Sequence, residues 1–160
     1  MTGSRPYAPL VERLKQAGLR PTRQRLALAK LLFDPGFRHV TAEQLHAEAQ
    51  GANVRVSLAT VYNTLHRFTE QGLLREVVVE ASRNNFDTNS RNRQDPRAAR
   101  AAHRSYFDTN TGDHHHFYFE ATGELQDVAG SAVEVARLPS PPAGQRLERV
   151  DVVIRLQPLK

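Results

Sequence analysis

The sequence predicts an α+β protein in which an N-terminal winged helix-turn-helix precedes a small α/β dimerisation domain. Four segments with helical periodicity and capping residues come first, and short strand-like segments occupy most of the remainder. Between them, the stretch Phe107–Phe117 holds three of the seven histidines and two carboxylates beside a predicted strand. Imidazole and carboxylate together suit Fe, Mn or Zn, so this stretch is a candidate metal site.

Composition limits the other possibilities. The 160 residues allow one domain or two small ones, and no apolar run approaches the length of about 18 residues that a membrane span needs. The N-terminus lacks the apolar segment of a secretion signal, so we expect a cytoplasmic protein with no membrane partner. Because the chain has no cysteine, disulfides and thiolate ligands are excluded, and any metal must be held by His, Asp or Glu.

Charge is divided unevenly along the chain. Residues 1–80 carry eleven basic and seven acidic side chains, residues 81–105 carry six and two, and residues 106–160 carry five and eight. A basic N-terminal part suits binding to a polyanion, and an acidic C-terminal part suits binding to a cation. Uneven use of arginine on a solvated surface would give the same pattern.

The first two predicted helices are joined by a basic link. A first helix ends at Gly18, and Thr22 caps a second helix that Pro35-Gly36 breaks. Guanidinium groups and backbone amides at a helix N-terminus can bind phosphate. The arginines of this link are Arg20, Arg23 and Arg25.

The third and fourth helices have the clearest start signals. Thr41 and Gln44 form a capping-box pattern, and Ser57 caps a fourth helix that ends at Gly72. One face of the fourth helix is apolar, and the other offers donors, acceptors and an aromatic ring, as a helix that reads a DNA groove requires. The side chains of that second face are Thr60, Tyr62, Asn63, Thr64 and Arg67. Tyr62 could instead be a half-buried structural ring.

A predicted strand at Leu73–Val79 follows the fourth helix and would begin a hairpin. Helices followed by such a hairpin form a winged helix-turn-helix. A plain helical bundle shares the periodicity of the helices, so the pattern alone leaves both architectures open.

Three motifs occur in order along the first half of the chain, namely Gly18–Arg25, His39–Leu45 and Ser57–Leu65. Their order and nearly their spacing resemble those of the Fur (ferric uptake regulator) family of metal-responsive transcription factors. The resemblance covers about the whole chain apart from one insertion. The missing cysteines and the segment Asp113–Phe117 are most similar to the Irr (iron response regulator) branch of alphaproteobacteria, which senses iron through haem.

This resemblance implies a winged-helix DNA-binding domain in residues 1–82, an extended wing and hinge in residues 83–112, and a metal-sensing and dimerisation domain in residues 113–160. It also implies a regulatory metal site with three histidines and two carboxylates. The matching positions are His39, Asp108, His114, His116 and Asp127. Since His39 belongs to the first domain, one ion held by this set could fix the angle between domains. The histidine triplet His114–His116 could instead be an exposed polar turn that binds metal only incidentally, but the two carboxylates at the family's spacing favour ligation.

A second metal or haem site of the family is matched only in part. His115 matches its first ligand, and Glu134 and Glu148 could supply others, but the family's histidine in the last strand has no counterpart. The Cys-x-x-Cys zinc motif and the Cys-Pro haem motif are absent as well. Haem would therefore have to be bound by histidine.

A tandem duplication is the main departure from the family. Arg83–Asn89 and Arg104–Asn110 are near copies 21 residues apart, where relatives have one copy. Either copy could be the returning strand of the wing, so Asp87 competes with Asp108 for the ligand role, and the distance to His114 favours Asp108. The arginines between the copies could contact phosphate or belong to a neutral surface loop.

Three strand-like segments are predicted in the C-terminal part. His116–Glu120 and Leu125–Val128 flank Gly123 as a hairpin, and Val150–Leu156 follows a stiff turn at Pro139–Pro142. So few strands bury little apolar surface alone, so we expect a homodimer, as in the Fur family. A dimer also suits the palindromic operators that helix-turn-helix proteins read.

These features and the resemblance predict a sequence-specific transcriptional regulator of double-stranded DNA, mainly a repressor, that responds to iron as free ion or haem. The predicted DNA-contacting residues are Arg20, Arg23, Ser57, Thr60, Tyr62, Asn63 and Arg67. The alternatives are a Fur-type regulator that senses Mn, Zn or peroxide, a purely structural DNA-binding protein, and a non-haem metal-dependent enzyme, whose iron ligands would be similar. The sequence signals no substrate pocket, so we expect no enzyme activity.

Overall fold

The computed structural model describes residues 7–80 and 103–160. The chain divides into two compact units, Met1–Thr111 and Gly112–Lys160. The described part of the first unit combines helices with a small sheet, and the second unit is built around another small sheet.

The first unit contains four α-helices in its described part, and the starts of three of them agree with the predicted caps. Thr22 accepts a hydrogen bond from the Arg25 amide at 3.2 Å, and Ser57 accepts one from the Thr60 amide at 3.1 Å. At the third helix, both hydrogen bonds of the predicted capping box are present. The helices are α1 (Ala8–Gln16), α2 (Arg23–Phe33), α3 (Ala42–Gly51) and α4 (Leu58–Glu70). None of the helices in residues 7–80 and 103–160 is long and apolar enough to cross a membrane.

The core of the first unit lies between these helices and a strand formed by His103–Asp108. Its fully buried side chains come from all four helices, from Val40 and from that strand, and each contributes on the order of 2 kcal/mol of burial free energy. They include Leu28, Leu32, Leu45, Val61, Leu65, Phe68 and Phe107. The fourth helix is followed by Gly72 at φ +72°, a left-handed conformation that favours glycine and lets the chain turn directly into the wing.

The wing is a three-stranded antiparallel sheet in the order β1-β3-β2, formed by β1 (His39–Val40), β2 (Arg75–Glu80) and β3 (His103–Asp108). The second copy of the duplicated motif supplies β3, which pairs with both neighbours. The first copy, including Asp87, lies outside the described residues. The β2 strand begins two residues later than the predicted start at Leu73.

The second unit contains β4 (His114–Phe119), β5 (Glu124–Ala129) and β6 (Val153–Leu156), in the order β5-β4-β6. The predicted hairpin is present, since β4 and β5 pair antiparallel around Gly123, whose φ is +71°. The last strand pairs with β4 in parallel, which requires the long connection that contains the proline-rich segment. Within residues 112–160, all of which the structure describes, the only helix is a 3-10 turn.

Candidate metal ligands and nucleic-acid interface

The first pair of candidate ligands belongs to the wing. The antiparallel register sets His39 opposite Asp108, and His39 Nε2 lies 3.3 Å from Asp108 Oδ2. The Asp108 side chain is fully buried, and burial of a carboxylate is costly unless hydrogen bonds or positive charge compensate for its lost hydration. The backbone amide of Asn110 donates to Asp108 Oδ1 at 2.8 Å. This donor supports the negative charge and fixes the orientation of the carboxylate.

Thr109, which follows Asp108, forms hydrogen bonds with Arg38, which precedes His39. Its hydroxyl accepts a hydrogen bond from the Arg38 amide at 2.9 Å, and its own amide donates to the Arg38 carbonyl at 3.0 Å. The Arg38 guanidinium in turn donates to Glu48 of α3 at 2.9 Å. Sequence reasoning missed these three supporting residues. The repeated Phe-Asp-Thr-Asn motif was the signal that could have identified Thr109.

A second group of candidate ligands lies on the sheet of the second unit. Side chains alternate along a strand, so His114 and His116 face the same side of β4, and the register with β5 sets Asp127 opposite His116. The Nε2 atoms of the two histidines are 3.0 Å apart. Asp127 Oδ1 lies 3.6 Å from the Nε2 of His114 and 3.9 Å from that of His116. Both imidazoles are buried, whereas Asp127 is one-third exposed.

The hydrogen bonding of this second group fits a metal ion. His114 Nδ1 lies 2.8 Å from the Gly112 carbonyl oxygen. A carbonyl oxygen only accepts, so Nδ1 carries the hydrogen and the Nε2 lone pair faces His116. Two nitrogens bound to one ion at about 2.1 Å and about 90° would be about 3.0 Å apart. The observed spacing is that of neighbouring ligands, and the nitrogen and oxygen donors are those that Fe, Mn and Zn accept.

The residues of the partly matched second site do not come together. His115 points to the face of β4 opposite to its neighbours, is buried, and accepts a hydrogen bond from the Val152 amide at 3.4 Å. Glu134 and Glu148 are exposed and lie in the connection between β5 and β6. In the described part of the chain, these three residues do not form a ligand cluster.

A candidate nucleic-acid interface lies in the first unit, where an open cleft of about 640 Å³ separates α4 from the start of α2. Thr60, Asn63 and Arg67 line the α4 side, and Gln24 and Arg25 line the α2 side. Polar donors and two guanidinium groups are what a surface that contacts bases and phosphates needs.

The remaining predicted contacts surround this cleft. Arg20 and Arg23 are exposed on the link before and at the start of α2. Ser57 is exposed and exchanges a 2.9 Å hydrogen bond with the Thr60 hydroxyl. Arg67 also forms an exposed ion pair with Glu70 at 2.9 Å, a contact that contributes little to stability and leaves the guanidinium available to phosphate.

Tyr62 occupies a different environment from the other predicted contacts. Its hydroxyl donates to Glu43 Oε1 of α3 at 2.6 Å, and its ring stacks on His66 with centroids 6.2 Å apart. The hydrogen bond with Glu43, followed by burial, raises the pKa of Tyr62 to about 12. The ring also packs against the helical core.

A family model and individual relatives both link the chain to ferric uptake regulators and related proteins. Residues 16–97 match the ferric uptake regulator family. The peroxide operon regulator of Bacillus subtilis is 32% identical over 117 residues, which are 73% of this chain and 66% of that protein. The ferric uptake regulation protein of Bordetella parapertussis is 31% identical over 102 residues, which are 64% of this chain and 58% of that protein. The chain therefore spans less than two thirds of the length of either relative.

Solved structures resemble the chain over most of its length. The ferric uptake regulator from Pseudomonas aeruginosa, solved with manganese, superposes with a TM-score of 0.61 and covers 93% of this chain and 97% of its own. Its sequence identity is 24%, so the likeness concerns the fold.

Proposed function

Because the chain belongs to the ferric uptake regulator family, we propose that it is a sequence-specific DNA-binding transcriptional regulator, mainly a repressor, whose operator affinity depends on a divalent metal ion, with iron as the first candidate. The observation that carries this proposal is the convergence of His114, His116 and Asp127, whose ligand atoms all lie within 4.8 Å of one another. The relatives that it matches are named as regulators, which argues against the enzyme alternative.

The metal ion would take ligands from both units in this proposal. His39 and Asp108 offer two donors, and the second unit offers three, whereas Fe, Mn or Zn binds about four to six ligands. Neither group fills that number alone. An ion shared between them would fix the orientation of the winged helix relative to the sheet, and metal concentration would then set the population of the DNA-binding orientation.

DNA reading is assigned to α4 and the start of α2. Asn63 and Thr60 would contact base edges, Arg67 a phosphate or guanine, and Tyr62 a thymine methyl. Phosphate contacts by the exposed arginines of the link would set the register on the duplex without reading its sequence. Those arginines are Arg20 and Arg23, and the exposed Ser57 hydroxyl completes the set.

Dimerisation is assigned to the second unit. Tyr118 and Val128 are the only hydrophobic residues of 112–160 that are buried, and several large apolar side chains of the unit are exposed. They are Val135, Leu138, Leu147 and Leu159. A second copy would cover such a surface and pair two winged helices for a palindromic operator.

Haem is proposed as a second form in which iron is sensed, on the basis of the resemblance to the Irr branch and of the cysteine-free histidine triplet. A second metal or haem site built on His115, Glu134 and Glu148 would require His115 to leave its contact with Val152. Haem binding there should therefore change the pairing of β6, which hydrogen exchange of the Val152 amide would detect.

The decisive experiment measures operator binding. A duplex selected by the protein from a random pool is titrated with metal-free protein, and then with added Fe(II), Mn(II), Zn(II) or haem. We expect the effective metal to change operator affinity by about 5- to 150-fold, the usual range of coupling between two sites.

The variant H114A/H116A should lose this response, while H103A, which removes an exposed histidine of β3, should retain it. If metal changed the operator affinity of H114A/H116A as much as that of the unmodified protein, the histidine triplet would not be the metal sensor. A wild-type protein that selects no duplex would refute the DNA-binding function itself.

A further inference from the structure

The exposed face of α4 has two different flanks. Successive helical residues are rotated by about 100°, which sets Thr60 and Tyr62 about 160° apart around the axis, with Asn63 and Arg67 between them. Thr60 borders the cleft beside α2, whereas Tyr62 lies on the α3 side and is bound to Glu43. The sequence analysis assigned both residues to one polar face. In the structure, Thr60 lies on the flank that lines the cleft, and Tyr62 lies on the flank that contacts α3.

Three contacts restrict the ring of Tyr62. The hydroxyl donates to the Glu43 carboxylate at 2.6 Å, a short distance typical of a hydrogen bond to an ionised acceptor. His66, one turn later, stacks on the ring with an interplanar angle of 21°. Tyr62 is also partly buried against the helical core. The phenol is therefore held in one orientation before any partner binds.

Glu43 is itself well placed to hold that orientation. It lies in the first turn of α3, where the positive end of the helix dipole favours a carboxylate. The Thr41 and Gln44 capping box fixes the same turn, with hydrogen bonds of 2.9 and 3.2 Å. The backbone that carries Glu43 therefore belongs to a capped helical turn, and the hydrogen bond to Tyr62 joins α3 to α4.

We propose that Glu43 is a positioning residue for sequence recognition, holding Tyr62 in the orientation in which its ring meets the base edges; this inference rests on the proposed DNA-binding function. The fixed ring binds without the cost of ordering a free side chain at the interface. The acidic group beside it also disfavours phosphate on this flank, so the Tyr62 flank is suited to base edges, whereas the arginines beside the cleft can also contact the phosphate backbone. The raised pKa of Tyr62 agrees with a phenol that keeps its hydrogen and remains a donor to Glu43.

The test compares the ratio of affinities for the selected operator and an unrelated duplex of equal length, in the full-length protein. We expect E43A and Y62F each to lower this ratio by about 3- to 10-fold, as the loss of one pre-ordered side chain implies. The double variant should lose little more than either single variant, because both remove the same contact. E43Q should retain most of the ratio, since its amide oxygen still accepts the phenol hydrogen.

E12A is the matched control, because it removes an exposed carboxylate of α1 from the same unit. A purely electrostatic role for Glu43 would raise affinity for both duplexes equally in E43A and E43Q and leave the ratio unchanged. That result would overturn the positioning role.

A second readout does not involve DNA. In a pH titration followed by the ring carbon resonances of tyrosine, Tyr62 should ionise at a higher pH in the unmodified protein than in E43A, because the variant lacks the carboxylate that accepts the phenol hydrogen. Identical titrations of Tyr62 in the two proteins would show that the contact is absent in solution and would overturn the proposal alone. A wild-type protein with the expected titration but without operator preference would instead overturn the proposed function, and the role of Glu43 in recognition with it.

Discussion

The two groups of candidate metal ligands are assembled in different ways. His114, His116 and Asp127 are set by local geometry, because strand alternation and one tight hairpin bring them together. His39 and Asp108 are 69 positions apart in the sequence, and they meet only because β3 inserts beside β1. The second unit can present its ligands whenever its hairpin forms, whereas the wing pair depends on the complete tertiary structure of the first unit.

This difference predicts the largest effect for the histidine pair of β4. Because two buried nitrogen ligands disappear while the backbone pairing remains, H114A/H116A should lower Mn(II) affinity by more than about 100-fold without unfolding the sheet. Calorimetric titration of the metal-free protein measures this affinity, and hydrogen exchange of the β4 amides reports the fold. H103A serves as control, and tight Mn(II) binding by the double variant would contradict the assignment.

The Thr109 contact allows the wing pair to be weakened without removing a ligand. T109A removes a buried acceptor that fixes Arg38, so metal affinity should fall by about 10-fold and the free energy of unfolding by about 1–2 kcal/mol. T109S keeps the hydroxyl and should restore most of the metal affinity. If T109A bound Mn(II) as tightly as the unmodified protein, His39 and Asp108 would not need this support to act as ligands.

A smaller effect is expected at the Arg38–Glu48 ion pair. Its side chains are 24% and 38% exposed, so solvent screens the attraction and E48Q should lower the free energy of unfolding by less than about 1 kcal/mol. Urea denaturation at low and high salt measures the change, with E12Q as a control on an exposed carboxylate. A loss of several kcal/mol would show that this pair, and not the Thr109 contact, holds the His39 segment in place.

The last effect concerns Tyr62 and is confined to high pH. Its pKa of about 12 in the folded protein lies above the ordinary value of 10.0, so the contribution to stability is complete below pH 10 and is lost as pH rises from about 10 to 12. Over that interval, the free energy of unfolding should fall more steeply in the unmodified protein than in Y62F. Parallel curves in denaturant titrations would show that Tyr62 and Glu43 do not interact in solution.

Sequence reasoning located the elements whose signals are local. The caps at Thr22, Thr41 and Ser57 were recognised because each hydrogen bond joins residues three positions apart. The strand bounds were less accurate, and Tyr62 was assigned to the same face as Thr60. Helical periodicity distinguishes buried from exposed positions, but it does not say which neighbouring helix contacts each flank.

By itself, the sequence determined the order of helices and strands, the caps that start three of the helices, and the absence of any thiolate ligand, since these depend on near neighbours and composition. The tertiary structure alone decided that the second copy of the repeated motif forms β3, that Asp108 pairs with His39, and that Glu43 holds Tyr62. The physical reason is that the two copies are similar in sequence, so local preference distinguishes them only weakly. Burial of Phe107 and pairing with residues distant along the chain hold the second copy in the sheet.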